Sequence, residues 1–327
     1  MRFLTLLLFV SAMALSAFAD TYLLTKSEQK AIFEEAEDWI DDMPDGLQDH
    51  ISDAVLHSLR GFFNELQYFR SLNDTIGVGK YKVSVTNLKG GKSGNIALRL
   101  YKPLRIKTGE KLPLLVFFHG GGWALGSVNT TDKFCRALVS EGNVAVVSVE
   151  YPLAPEFPYP SAINFNEGAV EYIFSKAADW GCDKNRISLG GEGAGGNLAL
   201  ETYQKLPANY KIKSLLLYYP VNVSTTLNQS DKKLYGKGYG FDSRLWEAFM
   251  CAYQGKESTA SKKLPSTLLI SAGRDIIISD QKEFSSHNPN VKFIEFDGAI
   301  HGFLTDGHQN TAFKKAVSIT DQFLQTR

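Results

Sequence analysis

The chain has 327 residues, 44% of them hydrophobic and 21% charged, which is ordinary globular composition with length enough for a large core. Thirty-five basic residues balance 35 acidic ones, giving a formal net charge of zero. That balance excludes the basic surface of a nucleic-acid partner, and the Lys pairs at 232–233, 262–263 and 314–315 are scattered as solvated surface.

The N-terminus reads as an export signal. Arg2 gives a positive start, Phe3 to Leu15 is apolar, and Ala17-Phe18-Ala19 fits a small-residue cleavage site. The segment 1–19 is expected to be a signal peptide cut after Ala19, making the protein secreted or periplasmic. The apolar run falls short of the ~20 residues that span a bilayer, so no membrane span is expected in the mature form. An odd count of cysteines, Cys135, Cys182 and Cys251, leaves at least one thiol free. They show no metal spacing, and buried inert thiols are expected. Sequons at Asn73, Asn129, Asn222 and Asn228 matter only in a eukaryotic host.

Residues 20–72 are expected to be helical. Thr25 and Glu28 have capping-box spacing, and Ile32, Ala36, Trp39, Ile40 and Met43 recur at helical intervals. Pro44-Asp45-Gly46 breaks the run, and Leu47 to Phe69 carries a second apolar stripe. Such helices either belong to the core or cover a pocket.

The hydrophobic period then falls to two. Tyr81–Asn87 and Asn95–Tyr101 predict a strand pair around Lys89-Gly90-Gly91-Lys92. Beyond them, apolar strands at 114–118, 144–149, 187–189, 214–219, 266–271 and 291–296 alternate with helical segments at 131–141, 163–177, 197–205, 244–252 and 312–325. Continuous apolar strands separated by helices imply an α/β fold with a mostly parallel sheet covered on both faces. Residues 73–327 form this domain, and 221–250, polar and Gly-rich at its start, is expected to be an excursion or second cap near the pocket.

Four segments carry chemistry. His119-Gly120-Gly121-Gly122-Trp123 follows an apolar strand, and its glycines let backbone N–H groups converge on an oxyanion; the alternative is a tight strand-to-helix connection. Gly191-Glu192-Gly193-Ala194-Gly195-Gly196 lies between a strand and a helix, the setting of a nucleophile elbow. The tip residue is Gly193, which has no side chain. The same glycines match a dinucleotide fingerprint, but the next strand, Ser214 to Tyr219, lacks the carboxylate that such a site needs. Asp275 follows a strand end, and alone would be a turn-capping aspartate. His301 lies 26 residues further on, leaving room for a helix and a strand between them. The order elbow, Asp, His is that of an α/β-hydrolase triad.

These strings, with Tyr151-Pro152-Leu153-Ala154-Pro155-Glu156 and His301-Gly302-Phe303, make the chain resemble the hormone-sensitive-lipase type of carboxylesterase within the α/β-hydrolase superfamily. The resemblance implies an α/β-hydrolase fold with an N-terminal helical cap. It implies oxyanion donors at Gly121, Gly122 and Ala194, an Asp275 that orients His301, and ligand contacts at His119 and Trp123. Gly193 stands where the family has its serine, and residues 255–265 form a shorter segment than is usual there. Ser188, Ser127 and Glu192 are the nearby side chains weighed as replacements. The expected function is a non-catalytic binder of a small acyl or ester ligand, with a protein partner as a further candidate. The alternatives are slow ester hydrolysis through water activated by His301 and Asp275, or full activity if glycine replaced a native serine. No metal or organic cofactor is implied.

Overall fold

The computed structural model describes residues 24–41, 83–90, 96–221, 226–256, 262–305 and 309–326. The expected signal peptide, the second N-terminal helix and the sequons at Asn73 and Asn222 lie outside them.

The described residues form eight strands, β1 (Val83–Gly90), β2 (Ile96–Pro103), β3 (Leu112–Phe118), β4 (Ala145–Glu150), β5 (Cys182–Glu192), β6 (Ser214–Tyr218), β7 (Ser266–Arg274) and β8 (Val291–Ile300). They form one sheet in the order β1-β2-β4-β3-β5-β6-β7-β8. β1 and β2 make the expected antiparallel hairpin, and β2 also runs antiparallel to β4. The pairs from β4 to β8 are parallel.

The described helices are α1 (Lys26–Asp41), α2 (Asp132–Glu141), α3 (Ser161–Lys176), α4 (Ala194–Lys205), α5 (Gln229–Tyr235), α6 (Ser243–Tyr253), α7 (Ile278–His287) and α8 (Asn310–Gln325). The sheet is apolar on both sides because its central strands are. In β3, Leu112, Leu114, Val116 and Phe118 join a core shared with α3, α4 and α6. Leu115 and Phe117 point the other way, into a core shared with α1, α2 and α8. Alternate side chains of one strand thus feed two layers, the period-two rule applied to a strand with no solvent face.

Helix α1 opens with the expected capping box: the Thr25 N–H donates to Glu28 Oε2 at 2.7 Å, and the Glu28 N–H to Thr25 Oγ1 at 3.2 Å. Its buried Ile32 and Ala36 pack inward. Glu35 accepts from the Thr311 N–H and hydroxyl, and Glu28 pairs with Lys315, so the helix is fastened to α8. Of the two readings of the N-terminal stripe, the described part is core.

Two helices were not individually legible. Residues 221–240 carry α5, capped by Asn228 Oδ1 accepting from the Ser230 and Asp231 N–H groups. Helix α7 fills the interval between Asp275 and β8. Both have weak apolar periodicity, with only Asp231 buried in α5 and only Ile278 and Gln281 in α7. Cys135 and Cys182 are buried as expected, whereas Cys251 is exposed on α6.

Strand order decides where a ligand can bind. β3 and β5 are neighbours, yet β3 is followed by β4 on one side and β5 by β6 on the other. Their C-terminal loops therefore diverge and open a crevice at the switch point, the usual ligand position in open α/β sheets.

Candidate active site

The two loops at this crevice are the glycine loop after β3 and the elbow after β5. The elbow is sharper than its sequence suggested: β5 runs to Glu192 and α4 starts at Ala194, leaving Gly193 alone as the turn. Gly193 has φ 53° and ψ −119°, a conformation that a residue with a Cβ adopts at a cost of ~1–3 kcal/mol. Helix α4 begins early because Gly195 has no side chain. A Cβ there would lie 2.0 Å from the Phe118 carbonyl oxygen, so the first turn packs directly against the end of β3.

In the glycine loop, Gly121, Gly122 and Trp123 have φ of 107°, 58° and 59°. Consecutive residues of positive φ curl the backbone, and the Gly121 carbonyl closes the curl by accepting from the Leu125 N–H at 2.7 Å. Ala194 contributes the first N–H of α4, which has no acceptor within a helix. This end of α4 also carries the positive pole of the helix dipole, suited to an anion.

Beneath the loop lies a buried carboxylate. Glu192 Oε1 accepts the Gly120 N–H at 2.8 Å. Burial pushes the Glu192 pKa above the usual carboxylate range, against the opposing pull of the Gly120 N–H and the Tyr219 hydroxyl. Tyr219 also accepts the Leu304 N–H at 3.2 Å. Glu192 and Tyr219 thereby tie the glycine loop to the loop that bears His301. Tyr219 holds φ at 34°, a strained value for a residue with a side chain.

On the other side of the crevice, Asp275 is the first residue after β7 and His301 the first after β8. Asp275 Oδ2 meets His301 Nδ1 at 2.7 Å, and Oδ1 accepts the Ile277 N–H at 3.2 Å. Asp275 is buried, with no side-chain exposure. Its carboxylate holds the proton on Nδ1, which leaves Nε2 as an acceptor. A Cβ built on Gly193 would stand 3.3 Å from Nε2 and, among the described residues other than its chain neighbours Glu192 and Ala194, only the imidazole comes within 4 Å of that point. A hydroxyl on such a Cβ would fall within hydrogen-bond reach of the base. The structure thus brings Gly193, Asp275 and His301 together.

The ligand contacts expected from sequence have other places. His119 is fully buried, with Nδ1 2.8 Å from the Gly120 carbonyl oxygen and its ring stacked 4.1 Å from Tyr151. Trp123 lies flat on Tyr253 at 4.3 Å and donates its indole N–H to Asn197 at 3.2 Å. Both support the loop from behind: His119 precedes the curl and is buried against Tyr151, and Trp123, itself at φ 59°, turns its side chain into the core. The alternative nucleophiles are also committed elsewhere. Ser188 pairs with Ser214 at 2.7 Å inside the sheet, and Ser127 accepts the Asn129 N–H at 3.2 Å.

Sequence reasoning missed the aromatic wall. The Phe241 ring packs 4.3 Å from His301 and the Tyr219 ring 4.8 Å from it. Phe249 of α6 lies against Gly122 so closely that a Cβ there would meet its ring at 2.2 Å. Phe241 stands in the Gly-rich stretch before α6, where aromatics alternating with glycines, Tyr235, Tyr239 and Phe241, were the available signal.

Chemically, the site offers a base held in one tautomer, a curl of N–H groups beside a helix N-terminus, and apolar walls. It offers no nucleophilic side chain at the elbow.

A family model described as the alpha/beta hydrolase fold matches residues 115–305. The carboxylic ester hydrolase LipN of Mycobacterium tuberculosis is 37% identical over 134 residues, 40% of this chain and 35% of that protein. The carboxylesterase NlhH of the same species is 41% identical over 105 residues, 32% of each chain. The chain thus matches about a third of the length of these relatives. An arylesterase of Saccharolobus solfataricus is 36% identical over 152 residues, 46% of this chain and 48% of that one. Among solved structures, the esterase of the archaeon Pyrobaculum calidifontis superposes with a TM-score of 0.72 at 27% identity, covering 83% of this chain and 93% of that one. A thermostable esterase from Pseudomonas putida shares the fold, with a TM-score of 0.73 at 22% identity, covering 90% and 96%. Among the described residues, no helix is long and apolar enough to cross a membrane. The chain belongs to the α/β-hydrolase family, as an esterase/lipase-like member of the hormone-sensitive-lipase type, with glycine at the tip of its elbow.

Proposed function

We propose that this esterase-like protein binds a small acyl or ester ligand without forming an acyl-enzyme and without turning the ester over. The residues at 1–19 would deliver it outside the cytoplasm. The ligand carbonyl sits against the N–H groups of Gly121, Gly122 and Ala194, and its apolar part lies along Phe241 and Phe249. One observation carries the reading: His301 Nε2 stands 3.3 Å from the place of a missing Cβ at residue 193, so base and elbow face each other with no attacking atom between them. The similarity to carboxylic ester hydrolases supports an ester or acyl group as the ligand class.

Ligand-observed NMR tests this reading. Phenyl acetate is expected to bind and to be recovered intact. Its ether analogue, which lacks the carbonyl, is expected to bind up to about tenfold more weakly, the worth of one or two net hydrogen bonds. Equal binding of the two would remove the cradle from the account.

The exposed lone pair of Nε2 favours a second reading, in which a water held there attacks the ester slowly. Triad enzymes stripped of a catalytic member keep roughly 10³–10⁴ over water. Ester loss that vanishes in His301→Ala and leaves no covalent adduct would establish that route.

A further inference from the structure

The site holds two of the three parts of ester hydrolysis, and those two suffice for a different reaction. A base beside a set of N–H donors stabilises an enolate as well as a tetrahedral oxyanion, because both place negative charge on a carbonyl-derived oxygen. Only the position of the base relative to the substrate differs. Hydrolysis needs the base on an attacking oxygen, whereas enolisation needs it on a C–H bond next to the carbonyl. In a serine enzyme the hydroxyl stands between base and substrate and takes up the Nε2 lone pair. Here no side chain fills that place: beyond the chain neighbours Glu192 and Ala194, the imidazole alone among the described residues comes within 4 Å of a Cβ built on Gly193.

We propose that Gly193 opens His301 Nε2 to the α-carbon of a bound carbonyl compound, so that the site catalyses proton abstraction next to a carbonyl. This rests on the reading above that a carbonyl ligand occupies the cradle. The step balances within the residues present. Nε2 takes the α-proton, and the C–H electron pair becomes the carbon–carbon double bond of the enolate. The carbonyl π pair moves onto oxygen, where the N–H groups of Gly121, Gly122 and Ala194 hold it. Asp275, 2.7 Å from Nδ1, stabilises the imidazolium that forms. The proton then returns to carbon. If a hydroxyl or acyloxy group sits on the β-carbon, the enolate pair expels it instead, the proton on Nε2 passes to the leaving oxygen, and an α,β-unsaturated carbonyl remains.

The aromatic wall favours a carbon acid over water. Phe241 and Tyr219 pack against the imidazole at 4.3 Å and 4.8 Å, and Phe249 covers Gly122. Benzylic or similarly apolar ketones, with acidified α-protons and a flat group for these rings, are the substrate class that fits.

The test is proton NMR of phenylacetone in deuterated buffer with the full-length protein. The benzylic signal is expected to fade at least tenfold faster than in buffer carrying equimolar imidazole. His301→Gln and, independently, Asp275→Asn are expected to remove the excess, with circular dichroism confirming that they fold. Gly193→Ser is expected to lose exchange while gaining esterase activity, because its hydroxyl reoccupies Nε2. Saturation transfer in the same sample reports binding separately. Binding without exchange would overturn the proposal and leave the ligand reading standing, whereas no binding would overturn both. Exchange that survives in His301→Gln would also overturn the proposal.

Discussion

The two sides of the crevice differ in how complete they are. On the β7–β8 side, Asp275 and His301 keep a 2.7 Å contact, a buried carboxylate and a fixed tautomer. On the β5 side, the turn keeps its sharpness but carries glycine at φ 53°. Scaffold and reactive atom are thus separable. The elbow's shape comes from strand β5, helix α4 and the close approach allowed by Gly195, none of which requires a serine. Burying the Asp275 side chain and holding Tyr219 at φ 34° both cost stability, yet the fold keeps them beside a tip that cannot attack a carbonyl.

The largest expected effect restores what is missing. Gly193→Ser should raise turnover of p-nitrophenyl acetate by at least 10³-fold, since losing a triad nucleophile can cost about 10⁶ in kcat. In that background, Asp275→Asn should lower kcat about 10⁴-fold by releasing the imidazole tautomer, with the protein still folded. A drop below tenfold would mean that the dyad side is less complete than its geometry indicates.

Two smaller effects concern stability. Gly193→Ser should cost about 1 kcal/mol in denaturant unfolding, the strain of a Cβ at a positive φ. An unchanged or higher midpoint would show that the elbow does not favour glycine. The smallest effect is a pH slope. Burial, with Asp231, Glu283 and Asp275 nearby, raises Asp280 from 3.8 to about 6. The folded state therefore binds the proton more tightly than the unfolded state. Stability from this group is full below pH 3.8 and is lost as pH rises through about 6. The Tm should fall across that window, and Asp280→Asn should flatten the slope. An unaltered slope would assign it to other groups.

Much of this contrast was legible in the sequence, because strand ends are marked by composition. An apolar run followed by His119-Gly120-Gly121-Gly122 locates the curl, and the chain order of Gly193, Asp275 and His301 gives the site its members. The two antiparallel strands and the parallel core followed from the change of hydrophobic period. Helices α5 and α7 did not, since each buries only one or two residues and so leaves little periodic signal. The packing of His119 and Trp123 behind the loop was also hidden. The direction of Trp123 depends on its own positive φ of 59° within the curl, and that of His119 on a long-range partner, Tyr151; residue identity fixes neither. Phe241 and Phe249 were missed for a related reason: contacts between the β6–β7 excursion and the ends of β3 and β8 are long-range, with no local pattern.

The most direct measurement is intact-mass analysis of native and Gly193→Ser protein after exposure to a fluorophosphonate. A dyad aimed at an empty elbow predicts no adduct on the native chain and a single phosphonyl group on the variant, mapped to residue 193. An adduct on the native protein, or a folded variant that stays unlabelled, would contradict it.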